Sequence, residues 1–335
     1  MASKEQPVSV ERDTKVVHSL DYALYAAYAC AGMYISAVCG WASLSSVLEQ
    51  DGIFAESCAD DGWQRPCLAQ LDNLVQVYTV SIVMLALSSP LAGCIVDHSA
   101  PWVPVVFAGA CVCIGSMGIA LLPSTAGPQF IPAFAILSVG GNATYFAASR
   151  LAFFLPLERR PFTLSLISTL YDASSAVPVL FFFAYTSLHV SRALIFASYS
   201  VLGMLLFGTW ALFIGRARLI NAARIEEKQQ SVDSSVRVDV PPIHTQPLPQ
   251  QLSSLQFWMG LVWFVVHQQY CNLYLGTVRY VLLRQGDDDG RYMALFTSML
   301  PCSILCVPAI SACLTRFGIL ATMQVSRREI KGRHR

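Results

Sequence analysis

About eight segments of this chain are apolar over roughly 20 residues or more, the length an α-helix needs to cross a ~30 Å hydrocarbon core. They run Leu20–Val47, Asn73–Val96, Trp102–Leu122, Phe130–Leu155, Pro161–Ala184, Val190–Ile214, Leu255–Leu283 and Tyr292–Leu314. In lipid no water satisfies a free N–H or C=O, so segments of this length must be helical. The chain is 55% hydrophobic and only 13% charged, about half the charge of an average soluble domain. The formal net charge of +1 supplies no basic field for nucleic acid. The predicted fold class is therefore all-α, a polytopic membrane protein.

Lys and Arg placement sets the orientation. Lys4, Arg12, Lys15, Arg159, Arg160, the run from Arg216 to Arg237 and the run from Arg316 to Arg335 fall on one side. Only Arg65, Arg192, Arg284 and Arg291 fall on the other. The first side is expected to be cytosolic, with both termini there. The first outer loop is acidic instead, carrying Glu49, Asp51, Glu56, Asp60 and Asp61. Residues 1–18 are polar, so the expectation is an uncleaved first helix serving as signal anchor. This charge arrangement fits a plasma membrane, and also any endomembrane.

Eleven cysteines show no metal-binding spacing. Cys30, Cys94, Cys111, Cys113, Cys302 and Cys306 lie within apolar segments, where they pack as small polarisable side chains. Cys58 and Cys67 share the outer loop, which leaves a disulfide between them open. The one Asn-x-Ser/Thr sequon, at Asn142, is mid-segment and a poor glycosylation acceptor. No Walker loop, nucleophile elbow or zinc motif is present, which disfavours ATP-driven transport and common hydrolases. No enzyme activity and no cofactor are expected.

The expected organisation is a cytosolic tail (1–19), a six-helix bundle (20–214), a cytosolic linker (215–254), two further helices (255–314) and a basic tail (315–335). The linker holds Glu226-Glu227-Lys228-Gln229-Gln230 and four prolines from Pro241 to Pro249, a composition that predicts disorder. Gly109, Gly115, Gly118 and the Gly140-Gly141 pair predict close helix contacts, because small residues let backbones approach. Six helices, a cytosolic linker and more helices is the layout of the major facilitator superfamily, in which two six-helix halves rock about a central site. Gly93-Cys94-Ile95-Val96-Asp97 matches the start of that superfamily's Gly-x-x-x-Asp loop motif. The following Gly and its basic partner are absent, so Asp97 reads either as a gate residue or as a plain loop carboxylate.

Three stretches together resemble solute carrier family 43, the facilitator-type large neutral amino acid transporters. The first is Gly40-Trp41-Ala42-Ser43-Leu44 with Leu48, Gly52, Phe54 and Cys58. The second runs from Gly140-Gly141-Asn142 through Phe154-Leu155-Pro156 to Tyr171-Asp172-Ala173-Ser174-Ser175. The third is Phe257-Trp258, Trp263, Gln268-Gln269 and Asn272 to Thr277. Thr169 stands where the family usually has Gly. The resemblance implies a transporter of amino acids working by alternating access, with an amino acid as partner and about eight of the usual twelve helices here. The closing run Gln324 to Arg335 has no likeness to the family. A second expectation is accordingly a truncated, non-transporting form acting at most as a membrane scaffold or regulatory partner.

An amino acid zwitterion in a low-dielectric bundle needs pre-placed donors and acceptors, and a mid-membrane ionisable group is a functional candidate by default. Asp172 lies about eleven residues into the fifth segment. It receives a substrate ammonium or a proton, or it ties helices together through Ser174 or Asn142. Asn142, Ser174 and Ser175 are candidates beside it, with the Gly140-Gly141 pair expected to weaken the helix there. Tyr34, Ser36 and Gly40 share a face of the first segment. The seventh is unusually polar, with His267, Gln268, Gln269 and Asn272; its amides line a cavity or bond to neighbouring helices. Arg150 snorkels to headgroups, captures a carboxylate or pairs with Asp97 as a gate with Gly93. Arg279 is the mirror case at the outer end of the seventh.

Overall fold

The computed structural model describes residues 21–33, 40–61, 67–153, 160–216, 248–287 and 291–299, with isolated positions from Cys302 to Arg316. All regular structure among them is helical. Residues 21–33 form α1. The rest are α2 (Trp41–Gln50), α3 (Leu68–His98), α4 (Val103–Leu121), α5 (Phe130–Phe153), α6 (Arg160–Ala173), α7 (Ala176–Thr186), α8 (Arg192–Arg216), α9 (Leu248–Ser253), α10 (Leu255–Arg284) and α11 (Arg291–Met299).

Five helical stretches are long and apolar enough to cross a membrane: Leu68–His98, Val103–Leu121, Gly127–Phe153, Phe162–Thr186 and Arg192–Arg216. They match the second to sixth predicted segments. Of the first segment, residues 21–33 form α1 and Trp41–Gln50 form α2, while residues 34–39 lie outside the described residues. The seventh forms α10 across its full predicted length, but His267, Gln268, Gln269 and Asn272 dilute its apolar character. Most of the linker and the basic tail lie outside the described residues. The linker's end departs from the predicted disorder: Leu248–Ser253 is helical, and the Trp258 indole donates to the Leu252 carbonyl at 2.7 Å.

Small residues set the packing distances. A Cβ on Gly115 would lie 2.6 Å from the Leu137 amide nitrogen, and one on Gly140 would lie 2.7 Å from that of Val112. These two glycines therefore bring α4 and α5 into backbone contact. Gly109 does the same for α4 and α8, where a Cβ would meet Phe207 at 2.5 Å. Cys113 and Ser200 fasten the same pair reciprocally, each side chain donating to the other's carbonyl at 3.4 and 3.1 Å. The expected weakening at Gly140-Gly141 does not occur: α5 is continuous through both. Large apolar residues such as Leu87, Ile114, Leu205 and Leu212 are exposed on the outward faces, as lipid contact requires.

Arg192, at the start of α8, is a buried hub, 5% exposed. Its Nε pairs with Asp51 at 2.7 Å. Its terminal nitrogens donate to the carbonyls of Ile119 and Leu122 at the end of α4, and it lies 5.0 Å over the Phe130 ring. One cation thus joins the ends of α2, α4, α5 and α8, and neutralises the negative end of α4. The outer loop is closed by a disulfide between Cys58 and Cys67. The fully buried Gln70 holds that loop to α3 by donating to the carbonyls of Glu49 and Ile53 at 3.2 and 2.9 Å.

Candidate functional site

Two elements meet inside the bundle. The first is the start of α2 at Gly40, whose backbone lies outside the helical region (φ −96°, ψ 31°); residues 34–39 lie outside the described residues. The second is the turn at Ser174-Ser175 between α6 and α7. Pro178 explains the second. It has no N–H for the Ser174 carbonyl four residues back, and its ring crowds that carbonyl. The Ser174 carbonyl is met instead by Val177 N at 3.0 Å, a tighter turn. Gly40 explains how the two fit together. A Cβ there would lie 2.5 Å from Pro178 Cγ and 2.9 Å from the Ser175 carbonyl oxygen, so only glycine admits this approach.

Ser174 and Ser175 are fully buried at this junction. The Ser174 hydroxyl donates to the Tyr171 carbonyl at 2.6 Å. The Ser175 hydroxyl has no partner among the described residues. Asp172, two residues before the turn, is exposed on the face of α6 that also carries Ser168. Ser168 bonds the Tyr145 hydroxyl of α5 at 3.1 Å. Asp172 bonds neither Ser174 nor Asn142, so the expected structural tie through those residues is not formed. A carboxylate and two hydroxyls therefore lie together on a polar patch beside the break.

Asn142 lies apart from this junction. It is 6% exposed, and its amide nitrogen meets the Leu85 carbonyl and the Ser88 and Ser89 hydroxyls of α3 at 2.9–3.0 Å. Pro90 lies inside α3 and disturbs the backbone bonding of the preceding turn. Ser88, Ser89 and Asn142 gather at that turn and hold α3 to α5. Asn142 is thus a helix tie whose donors are engaged.

Tyr34 and Ser36 lie outside the described residues. On α10, Gln268 donates to the Asn272 side chain at 3.3 Å, and Gln269 is exposed. The structure brings neither to the junction of Gly40 with Ser175. The residues of the expected gate are not brought together. Asp97 is exposed, forms no ion pair with Arg150, and a side chain at Gly93 would enter open space. The Arg150 Nη1 is buried with no hydrogen-bond partner among the described residues.

Arg279 neither snorkels nor stands alone. It pairs with Glu49 of α2 at 3.4 Å, and the Tyr78 hydroxyl of α3 donates to the Asn272 carbonyl at 3.3 Å. Gly276 packs on the Tyr78 ring, and Ala42, Val278 and Met293 form a small buried cluster. Contact between the first eight helices and the α10–α11 pair is thereby concentrated at the Arg279 end of α10, while its Leu255 end is exposed. Sequence reasoning missed Tyr78, Pro178 and the pairing of Glu49 with Arg279. Only the rarity of charge on the outer side hinted at the last. Among the described residues no group of three or more His, Cys, Asp or Glu is placed to hold a metal ion.

No family model matches the chain, and no curated protein or solved structure matches it either. The fold and site define a polytopic helical membrane protein in which the start of α2 packs on a turn between α6 and α7.

Proposed function

We propose that the chain is a facilitator-type transporter of the solute carrier family 43 kind, moving large neutral amino acids by alternating access, by facilitated passage or exchange. The observation that carries this reading is the close approach of Gly40, at the start of α2, to the proline-induced turn at Ser174–Ser175 between α6 and α7. Transporters build substrate sites at such departures from regular helix at membrane depth. Asp172 would receive the ammonium group, on the face of α6 that also carries the Ser168 hydroxyl. The outer-end contact between α2, α3 and α10 supports one end state, closed outside and open on the cytosolic side. The polar stretch His267–Asn272 would face the path rather than lipid, since lone amides in hydrocarbon are costly. A plasma membrane is the proposed site of action.

The test is counterflow in proteoliposomes of the full chain preloaded with leucine, phenylalanine or arginine. Saturable exchange of at least one neutral amino acid, abolished by Asp172→Ala, is expected. No exchange above protein-free vesicles, from protein with intact helical circular dichroism, refutes the reading and favours a scaffold role.

A further inference from the structure

We infer that Glu49 is a proton-binding site at the non-cytosolic end, and that its protonation favours closure of the outer contact. The geometry is that of a half-satisfied buried pair. Glu49 and Arg279 have side chains 9% and 12% exposed. One carboxylate oxygen meets the guanidinium at 3.4 Å. The other, Oε2, is buried with no partner among the described residues, as is Arg279 Nε. A buried ion pair repays its desolvation only with close geometry and further hydrogen bonds. Here the contact is long, Oε2 makes no such bond among the described residues, and the further hydrogen bond, from Arg279 Nη1 to the Asp287 carbonyl, serves only the cation, whereas a neutral carboxylic acid in the same place leaves a smaller penalty.

The other ionisable groups around it do not change that balance. Arg279 is the charge on α10 that faces it. Asp287, in the turn after α10, is 4% exposed and directs its carboxylate to the Tyr292 and Met293 amides at the start of α11. It also accepts Arg279 Nη1 on its carbonyl at 3.3 Å, so Arg279 is shared. From α3 the neutral Gln70 approaches, through the Glu49 carbonyl. On α2's own end Asp51 is neutralised by Arg192, and Tyr185 of α7 is directed at Asp51 rather than Glu49. Asp288 and Asp289, next in the sequence, lie outside the described residues, as does the side chain of Arg291 at the start of α11.

Burial raises the Glu49 carboxyl above the ordinary glutamate range, and Arg279 only partly offsets it. In an open outer end the same carboxyl would be solvated and titrate in the ordinary range. The closed form therefore binds the proton more tightly. Closure is favoured fully below the ordinary glutamate value, and that advantage fades as pH rises through the raised, closed-state value.

The proton site stands on its own geometry; its consequence for solute passage rests on the alternating-access reading. The test uses Ala42→Cys, at a position buried against Val278 and Met293 in the closed contact. Full-length protein in proteoliposomes is labelled with a membrane-impermeant maleimide from about pH 5 to pH 8, and the peptide carrying the introduced thiol is read by mass spectrometry. The same variant carrying Glu49→Gln corrects for thiol ionisation. The expected result is labelling that slows at acid pH relative to that reference, by up to about tenfold per unit of separation between the two carboxyl values. Identical profiles in the two proteins overturn the inference. Should Glu49→Gln not fold, Arg279→Met replaces it: losing the guanidinium must move the midpoint to higher pH, and an unmoved midpoint overturns the inference. A pH-dependent closure in protein that moves no amino acid counts against the transport reading alone. Transport with a flat labelling profile counts against the proton site alone.

Discussion

Replacing Arg192 by methionine removes the one cation that joins four helix ends while keeping the apolar stem. Among the described residues Asp51 then keeps only hydroxyl partners, Ser124 at 2.9 Å and Tyr185. The carbonyls of Ile119 and Leu122 lose a charged donor. Removing one partner of a buried pair costs about 3–5 kcal/mol. Asp51 is 20% exposed and recovers part of its hydration, so the lower half of that range, about 3–4 kcal/mol, is expected. Asp51→Asn keeps the shape and the carbonyl bonds, and costs about 1–2 kcal/mol. The double variant should be less destabilised than the sum of the two by about 1–3 kcal/mol, because the residues share one network. The assay is thermal unfolding in detergent followed by tryptophan fluorescence, where Arg192→Met should lower the midpoint by roughly 6–12 °C. A fall of less than about 2 °C, or strict additivity in the double variant, would refute the hub.

Three further outcomes follow from the same packing. Gly40→Val drives a side chain into Pro178 and the Ser175 carbonyl; a destabilisation of about 1–3 kcal/mol is expected, with loss of counterflow. Counterflow at the native rate would show that Gly40 and the turn at Ser174–Ser175 do not meet. Asn142→Leu leaves the α3 acceptors without their donor and should cost about 1–3 kcal/mol in the same unfolding assay, while leaving substrate preference unchanged. A changed preference would return Asn142 to the substrate path. Replacing Cys58 and Cys67 by alanine should cost about 2–3 kcal/mol for a loop of this length; peptide mapping that finds both thiols free in protein from a non-cytosolic membrane face contradicts the pairing.

The membrane helices were legible because their signal is crude. An uninterrupted apolar run of the right length has few other solutions in lipid. The glycine contacts were legible for a related reason, since Gly109, Gly115 and Gly140 each stand where a neighbouring backbone or ring fills the space. Departures from regular helix were harder to read. Gly40 was noticed, but Pro178 lies inside an apolar run and its effect is felt four residues earlier, at Ser174. Asn142 shows the opposite failure: a buried amide reads alike as substrate ligand and as helix tie, and only the position of Ser88, Ser89 and the Leu85 carbonyl across the interface decides. The outer pairs, Arg192 with Asp51 and Arg279 with Glu49, join residues 141 and 230 positions apart, and no local pattern carries that information.

The central claim is that the face of α6 carrying Asp172, beside the turn between α6 and α7, faces an aqueous solute path. Asp172→Cys tests it directly, because a thiol facing lipid stays protonated and unreactive, whereas one in a water-filled cavity ionises. The variant is treated in proteoliposomes with a small charged methanethiosulfonate reagent, with and without leucine or phenylalanine. The predicted result is modification of the introduced thiol, slowed by the amino acid. A thiol left unmodified at this position, in protein whose other exposed cysteines react, would place this face of α6 against lipid and contradict the claim.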